Sequence, residues 1–350
     1  MNRFFLFFVL LLLLSCKKTP IHLITKVTTF REHGLDVSWD QSGSNRIAYS
    51  MKGADGYYDI YLAQPDGSND TCLTCNHPLL PNKHIANMAW HPSGKWLVAV
   101  VEEAAHAGSS ADALPGFGAY CDIWLISDDA SKAFMLVDIP SDYDHGVICP
   151  RFSNDGKQLV WTDRKAAPNI LDPKKTAGYW TIKLADFVLQ GDTMPVVSNI
   201  RTLEPDGDAF YEVYGFSPDN SRLIFCSNMN KPSFWDEHIY TMDTTGNDVK
   251  KLTDKDYNEH GFYSPDGSKI VWMSNTNSSK GGTDWWQMNT DGSNKKRLTY
   301  FNEQNNEQSA ANAVWAGLGS FSPDGKRFVG GVQLSLVTQE GKIVMVDLLE

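Results

Sequence analysis

The sequence predicts an all-β protein that folds as a six-bladed β-propeller with four-stranded blades. A turn motif occurs six times along the chain, and a short run of β-forming residues follows each copy. The six turns end at residues 43, 94, 156, 220, 267 and 325, so successive copies are 47 to 64 residues apart. A four-stranded blade takes about 40–45 residues, so each interval has room for one blade and its loop insertions.

Each copy of the turn motif begins with an aromatic residue at the end of a predicted strand A and continues as Ser-Pro-Asp-Gly. Complete copies occupy residues 263–267 and 321–325, and degenerate copies occupy residues 39–43, 90–94, 152–156 and 216–220. Proline fixes φ at the second turn position, Asp accepts hydrogen bonds from nearby backbone, and Gly adopts positive φ. Asn220 replaces the expected Gly, and Asn is the next-best residue for that conformation. The motif therefore predicts a tight turn between strands A and B.

Strands B, C and D of each blade are predicted from short runs of β-forming residues bounded by turn residues. Strand B is predicted at residues 47–49, 97–100, 159–161, 223–225, 270–272 and 328–329. Strand C is predicted at residues 59–61, 122–124, 179–180, 238–240, 284–286 and 343–344. Strand D carries a Leu-Thr pair at residues 251–253 and 297–299, with weaker versions at residues 73–74 and 201–203.

The last blade lacks a strand D after its strand C, and the segment at residues 24–30 is the candidate for it. A Glu-His-Gly sequence follows this segment at residues 32–34, much as one follows the strand D of another blade at residues 259–261. We therefore expect the N-terminal strand to complete the blade formed by the C-terminal residues. Such closure removes the open edge that a ring of sheets otherwise has.

The six repeats resemble the propeller repeat of TolB and its relatives, a WD40-like or PD40-type repeat, over residues 22–350. The resemblance implies a single six-bladed propeller across that range. TolB also carries an N-terminal α/β domain before its propeller. The residues between Cys16 and the first blade are too few for such a domain, so we expect a TolB-like propeller without it.

The N-terminal residues predict export and lipid attachment. Arg3 supplies a positive charge, and residues 4–14 form an apolar run that is shorter than the about 20 residues of a membrane-spanning helix. A Ser-Cys pair ending at Cys16 follows and resembles a lipobox. We expect a lipoprotein signal peptide at residues 1–15, acyl chains on Cys16 and a tether at residues 16–21. The alternative is an ordinary signal peptide with a chance cysteine.

The predicted anchor and the net charge restrict the partners of the protein. Acyl chains on Cys16 make the membrane one partner. We expect the body to lie in the cell envelope of a Gram-negative-type bacterium, anchored to the outer membrane and facing the periplasm or the cell surface. The net charge of −11 argues against nucleic acid, because proteins that bind it carry a basic face.

Five cysteines remain after Cys16, and this odd number leaves at least one thiol unpaired even in an oxidising compartment. Cys72 and Cys75 form a C-x-x-C motif. The sequence has neither a second such motif nor the pair of histidines that structural zinc sites use. We interpret Cys72 and Cys75 as small apolar residues at the end of a strand.

Antiparallel blades place the tight A–B and C–D turns at one end of the ring and the B–C and D–A loops at the other. The second end holds the long insertions, and variable loops on a rigid scaffold usually carry function. The candidate binding residues at this channel mouth are Glu32, His33, His84, His145, Glu259 and His260. One hypothesis is a divalent metal, zinc or manganese, on His33, His145 and His260. The other is that these histidines bond to loop backbone.

Two functions stay open. No G-x-S-x-G, H-E-x-x-H or P-loop motif occurs in the sequence, and no catalytic residue is assigned. A binding or scaffold module for an envelope protein or glycan fits a fold that does not by itself imply chemistry. The alternative is a metal-dependent glycan-active enzyme, because oligogalacturonate lyases resemble this repeat family and use channel histidines on a metal. None of their ligands carries over residue by residue to this sequence.

Overall fold

The computed structural model describes residues 23–190, 194–336 and 339–349, so the predicted signal peptide, Cys16 and the tether lie outside it. It contains six four-stranded antiparallel sheets. The innermost strand of each sheet contacts the innermost strands of the two neighbouring sheets, which closes a ring around a central channel. This confirms the predicted six-bladed β-propeller.

Strand β1 (Thr25–Arg31) comes first in the chain and belongs to blade 6. Blade 1 contains β2 (Val37–Trp39), β3 (Ile47–Lys52), β4 (Tyr58–Ala63) and β5 (Thr71–Cys72). Blade 2 contains β6 (Ile85–Trp90), β7 (Trp96–Glu102), β8 (Cys121–Ser127) and β9 (Ala133–Val137). Blade 3 contains β10 (Gly146–Phe152), β11 (Gln158–Ala166), β12 (Tyr179–Gln190) and β13 (Met194–Leu203).

Blades 4 to 6 continue the same order, from the innermost strand A outward to strand D. Blade 4 contains β14 (Tyr211–Phe216), β15 (Arg222–Ser227), β16 (His238–Asp243) and β17 (Lys250–Lys251). Blade 5 contains β18 (Asn258–Tyr263), β19 (Lys269–Ser274), β20 (Asp284–Asn289) and β21 (Lys296–Arg297). Blade 6 contains β22 (Trp315–Phe321), β23 (Arg327–Gln333), β24 (Gly341–Leu348) and, as its outer strand, β1.

Helices are a minor part of the described chain. Two short 3₁₀ helices, Ser110–Ala113 and Pro173–Lys175, lie in the B–C loops of blades 2 and 3. Within the described ranges, no helix has the length and apolar character needed to cross a bilayer.

The N-terminal strand closes the ring as predicted. Strand β1 pairs antiparallel with β24, from Thr25 opposite Leu348 to Arg31 opposite Ile343. The Thr25 hydroxyl also donates to the carbonyl oxygen of Leu298 at 2.5 Å, which joins this outer strand to blade 5. Both ends of the described chain are therefore held in one sheet.

The repeated turn has the hydrogen bonds that its residue types predict. In blade 5 the Ser264 hydroxyl donates to Asp266 Oδ1 at 2.6 Å, and the Gly267 N–H donates to the Ser264 carbonyl oxygen at 2.9 Å. The same two bonds recur in blade 6. Gly267 has φ of +70°, and Asn220 adopts +60° at the corresponding position of blade 4. The turn fixes the A–B end of each blade, so the long loops collect at the opposite end.

Strand D is shorter than its Leu-Thr motif predicts. In blade 4 it covers only Lys250–Lys251. The Leu252 N–H then donates to the Ile239 carbonyl oxygen at 2.8 Å, and Thr253 Oγ1 accepts the Ile239 N–H at 2.9 Å. The same pair of bonds recurs in blades 1 and 5. The threonine side chain thus replaces one backbone bond of the ladder at the point where the chain leaves the sheet.

The hydrophobic core lies between neighbouring blades. Trp285 in β20 is fully buried, and its Nε1 donates to the carbonyl oxygen of Gly317 in β22 at 3.0 Å. A Cβ atom at Gly330 in β23 would lie 2.4 Å from the same ring. Glycine at that position therefore allows blade 6 to pack closely against blade 5.

Candidate functional site

Three inner strands contain a β-bulge at the same place. In β6, β10 and β18 the pairing with strand B shifts around a residue three positions before the aromatic of the turn motif. These residues are Asn87, Cys149 and His260, with φ of +49°, +55° and +54°. Positive φ is uncommon for residues other than glycine, and a bulge redirects the side chain at its position. The bulges therefore set the direction of these side chains on the innermost strands.

A group of acids, thiols and phenols lies beside two of these bulges, and we name it the acid–thiol cluster. Its members are Cys149, Glu212, Tyr214, Cys226, Glu237, Tyr257 and Glu259. All of them except Tyr257 are buried. They come from blades 3, 4 and 5, near the end of the ring that carries the B–C and D–A loops.

The blade 4 half of the cluster is a chain of hydrogen bonds around Glu212. The Cys149 thiol donates to Glu212 Oε1 at 3.0 Å, and the Tyr214 hydroxyl lies 3.2 Å from Glu212 Oε2. The same hydroxyl lies 2.9 Å from Cys226 Sγ. Glu212 and Cys226 are direct partners in the pairing of β14 with β15. Their functional groups are therefore neighbours by strand register.

The blade 5 half of the cluster centres on Glu259. The Cys226 thiol donates to Glu237 Oε2 at 3.0 Å, and the Tyr257 hydroxyl donates to Glu259 Oε2 at 2.8 Å. The His260 Nε2 atom lies 3.8 Å from the same Glu259 oxygen. The fully buried carboxyl group of Glu237 also shares a hydrogen bond with that of Glu259. The two carboxyl groups therefore lie next to each other and share a proton.

Burial dominates the protonation of these carboxyl groups. It raises the pKa of Glu212 to about 7 against the lowering effects of the Cys149 and Tyr214 hydrogen bonds. Burial also raises the pKa of Glu259 to about 7, with the charge of His260 opposing the rise. The pKa of Glu237 is also raised well above its ordinary value, first by burial and then by the charge of Glu259. Burial therefore favours the protonated, uncharged forms of these carboxyl groups when no cation is bound.

The cluster meets the central channel at His260, whose side chain is 22% exposed. Burial lowers the pKa of His260, and the charges of Asp36 and Arg151 also act on it. Asp36 lies just before β2 and Arg151 lies in β10, so charged groups from blades 1, 3 and 5 face one another across the channel. Asp36 Oδ2 accepts the N–H of Asn87 at 3.1 Å, which adds blade 2 to this polar wall.

Solved structures that share this architecture include two TolB proteins and an enzyme. TolB from Acinetobacter baumannii has a TM-score of 0.56 and 20% identity over 87% of this chain, which spans only 64% of that TolB. A putative TolB from Agrobacterium tumefaciens has a TM-score of 0.54 and 14% identity over 92% of this chain and 97% of its own. An oligogalacturonate lyase in complex with manganese has a TM-score of 0.53 and 14% identity, with 95% of each chain covered.

The chain has the fold of the TolB-like propellers. No protein-family model matches it, and no curated protein matches it in sequence. Because the sequence identities to these solved structures are only 14–20%, the similarity shows the fold alone. A TolB and a lyase share that fold, so it does not determine the function. The function of this TolB-like propeller must therefore be argued from its own residues.

Two groups in the described part of the propeller bring three metal-ligating side chains together. Glu212, Cys226 and Glu259 place one ligand atom each within 4.8 Å of one another, and Asp59, Cys72 and Cys75 form the second group. Cys72 and Cys75 are joined by a disulfide bond, so their sulfurs do not act as thiolate ligands. The disulfide corrects their interpretation as simple apolar residues at a strand end.

The remaining thiols agree with the odd cysteine count. Cys121, Cys149 and Cys226 are free and buried, so unpaired thiols are present, as predicted. Two of the three, Cys149 and Cys226, belong to the acid–thiol cluster. The cysteines that the sequence left unassigned thus contribute to the polar site.

Two of the predicted channel-mouth residues, Glu259 and His260, lie at the acid–thiol cluster. His84 is buried in blade 2, where its Nδ1 accepts the N–H of Tyr58 at 3.1 Å. Glu32 and His33 are exposed on the segment that leads into blade 1.

His145 pairs with a different acid from the neighbouring one that the sequence suggests. Its Nδ1 lies 2.8 Å from Asp142 Oδ1, and the two side chains are 39% and 53% exposed. The three predicted metal ligands, His33, His145 and His260, belong to neither of the metal-ligating groups described above. A metal shared by these three histidines stays a prediction.

The sequence prediction omits Glu212, Cys226 and Glu237, although part of the signal is present. Glu212 and Glu259 each precede the aromatic residue of their turn motif by four positions. Two carboxylates at one repeat position in adjacent blades face the same interface. Glu237 has no comparable signal, because it ends a B–C loop of irregular length.

Proposed function

We propose that this TolB-like propeller is an envelope-anchored binding module whose partner, a protein or glycan, docks on the face formed by the B–C and D–A loops. The observation that carries the proposal is a set of apolar side chains exposed on that face. Ile170 and Leu171 in the B–C loop of blade 3 are 83% and 88% exposed, and Trp235 in the B–C loop of blade 4 is 58% exposed. Apolar side chains gathered on one exposed surface are typical of interaction sites.

The loops that carry these side chains are held to each other. The Phe234 N–H donates to the carbonyl oxygen of Pro173 at 2.8 Å, and Asn228 Nδ2 donates to that of Lys174 at 3.1 Å. The Trp235 ring packs at 5.5 Å from the ring of Tyr257. Because the loops are ordered before a partner arrives, docking loses less conformational entropy. An aromatic anchor beside aliphatic side chains suits an apolar protein surface or the C–H face of a sugar.

A photoreactive phenylalanine derivative at position 235 tests this docking face in living cells. We expect crosslinked adducts of the full chain, and we expect Ile170→Asp with Leu171→Asp to abolish them by placing charges in the apolar contact. The matched control is the same derivative at Val249, an exposed apolar residue at the opposite end of the ring. Equal adducts at both positions, or adducts that survive the aspartates, would rule out docking on the loop face.

A second candidate is a metal-dependent glycan-active enzyme, and the acid–thiol cluster beside the channel favours it. The cluster contains metal-ligating side chains, and one solved protein of the same fold is an oligogalacturonate lyase in complex with manganese. This candidate predicts an unsaturated product from oligogalacturonate when Mn²⁺ or Zn²⁺ is supplied. Absorbance of the new double bond measures it, and Glu259→Gln should abolish it. Equal absorbance in this variant would assign the activity to a contaminant, and no product with either metal would exclude this substrate.

A further inference from the structure

We propose that Glu212, Cys226 and Glu259 bind a divalent cation of the zinc type between blades 4 and 5. The centre goes beyond the docking function, which does not require it. It differs from the histidine site that the sequence suggests, because its donors are two carboxylates and a thiolate.

Strand pairing and blade packing bring the three donors together. Glu212 and Cys226 are opposite residues of β14 and β15, so their side chains lie on one face of blade 4. Glu259 comes from β18, the inner strand of blade 5, which packs against both of those strands. One ligand atom from each lies within 4.8 Å of the other two. Ligand atoms bonded to one zinc ion each lie about 2.0 to 2.3 Å from it. The three donor atoms therefore need to move only slightly toward one another to bind the same ion.

The buried carboxyl group of Glu237 lies against the proposed ligands. This residue is 0% exposed, its Oε2 accepts the thiol of Cys226 at 3.0 Å, and its carboxyl group shares a hydrogen bond with that of Glu259. Buried charge is normally paired or coordinated to metal, and without a metal these carboxyl groups are neutralised by protons. A cation held by Cys226 and Glu259 takes the place of those protons.

No side-chain cation of the described residues pairs directly with Glu212 or Glu237. In the cluster, the only basic side chain within 4 Å of a described carboxylate oxygen is that of His260, whose Nε2 lies 3.8 Å from Glu259 Oε2. The Arg151 guanidinium donates instead to the backbone carbonyl of Pro150 at 2.8 Å. The charges of Arg151 and His260 act on Glu212 and Glu259, but neither residue forms an ion pair with Glu212 or Glu237 in the described part of the chain.

The donor types select the metal. Thiolate with carboxylate and a nearby imidazole favours zinc, whereas manganese, magnesium and calcium favour oxygen donors. On binding, Cys226 loses its thiol proton to solvent, because the thiolate is the form that ligates. His260 is the nearest additional donor, and it lies on the channel side. A metal held here would join blade 4 to blade 5.

Cobalt titration of the full chain, purified in detergent and freed of metal with a chelator, tests the centre. Co²⁺ substitutes for zinc, and a thiolate ligand gives a charge-transfer band in the near ultraviolet. We expect one Co²⁺ per chain with this band, and displacement by Zn²⁺. Cys226→Ser should remove the band, and Glu259→Gln should weaken cobalt affinity by at least about tenfold, the loss already typical of residues around metal ligands.

Cys121→Ser is the matched control, because Cys121 is also a free buried thiol but lies in blade 2. This variant should keep the band and the stoichiometry. A wild-type chain without the band overturns the proposal whether or not any variant folds, and so does a band that survives Cys226→Ser. The photocrosslinking at position 235 is read without added metal, so failure of this centre and failure of the docking face are distinguishable.

Discussion

Deletion of residues 24–31 is expected to lower the free energy of unfolding by on the order of 5 kcal/mol, a large part of the 5–15 kcal/mol typical of folded proteins. Strand β1 supplies the outer hydrogen-bond ladder of blade 6, and Val27 packs on the core between blades 5 and 6. Its removal exposes the edge of β24 and part of that core. Each ladder bond is worth about 1 kcal/mol, and the loss of apolar burial adds to this sum. Thermal unfolding should show a melting temperature lower by roughly 10 °C or more.

Deletion of the predicted tether at residues 17–21 is the control, and it should leave the melting temperature unchanged. Thr25→Ala isolates one contact, the hydroxyl bond to the Leu298 carbonyl. Its expected effect is about 1 kcal/mol, because one hydrogen bond is lost while the ladder remains. If the deletion of residues 24–31 unfolded at the same temperature as the full chain, β1 would not be a structural part of the ring.

The ring and its closure could be predicted because their determinants are local and repeated. The Ser264–Gly267 turn follows from residue chemistry within four positions, and six copies establish the number of blades. Strand β9 (Ala133–Val137) was not predicted, because blade 2 lacks the Leu-Thr pair that marks strand D elsewhere. The disulfide between Cys72 and Cys75 was also missed, because a C-x-x-C spacing alone does not distinguish a disulfide from two free thiols.

The acid–thiol cluster could not be predicted as a unit, because it depends on packing between blades. Glu212 and Cys226 are 14 residues apart and meet through strand register, whereas Glu259 reaches them only when blade 5 packs on blade 4. The bulge that turns His260 is a backbone feature that its own residue type does not specify. The sequence therefore indicates the end of the ring at which the cluster lies, one of its members, Glu259, and the adjacent His260, and the structure supplies the other members.

The metal-free protein is expected to be more stable at pH 5 than at pH 8, and Glu212 and Glu259 of the acid–thiol cluster contribute to the difference together with Asp122, whose pKa burial raises to about 6. Glu212 and Glu259 have pKa values of about 7 in the folded protein, against 4.5 for an ordinary glutamate. The folded state therefore binds more protons than the unfolded state between these values, and stability falls as the pH rises through 7. A pKa that rises from 4.5 to about 7 corresponds to about 3 kcal/mol for one carboxyl group.

At lower pH, the titration of His238 opposes the stabilisation that the protonated carboxyl groups give. Burial lowers its pKa from 6.5 to about 4, so its contribution to stability is lost as the pH falls from 6.5 toward 4. Denaturant unfolding between pH 5 and 8 in the presence of a chelator measures the balance. Glu259→Gln should flatten the fall in stability above pH 6, because an amide does not titrate, while His238 affects the variant and the wild type equally. If the variant lost as much stability as the wild type between pH 6 and 8, the cluster would not be the origin of the pH dependence.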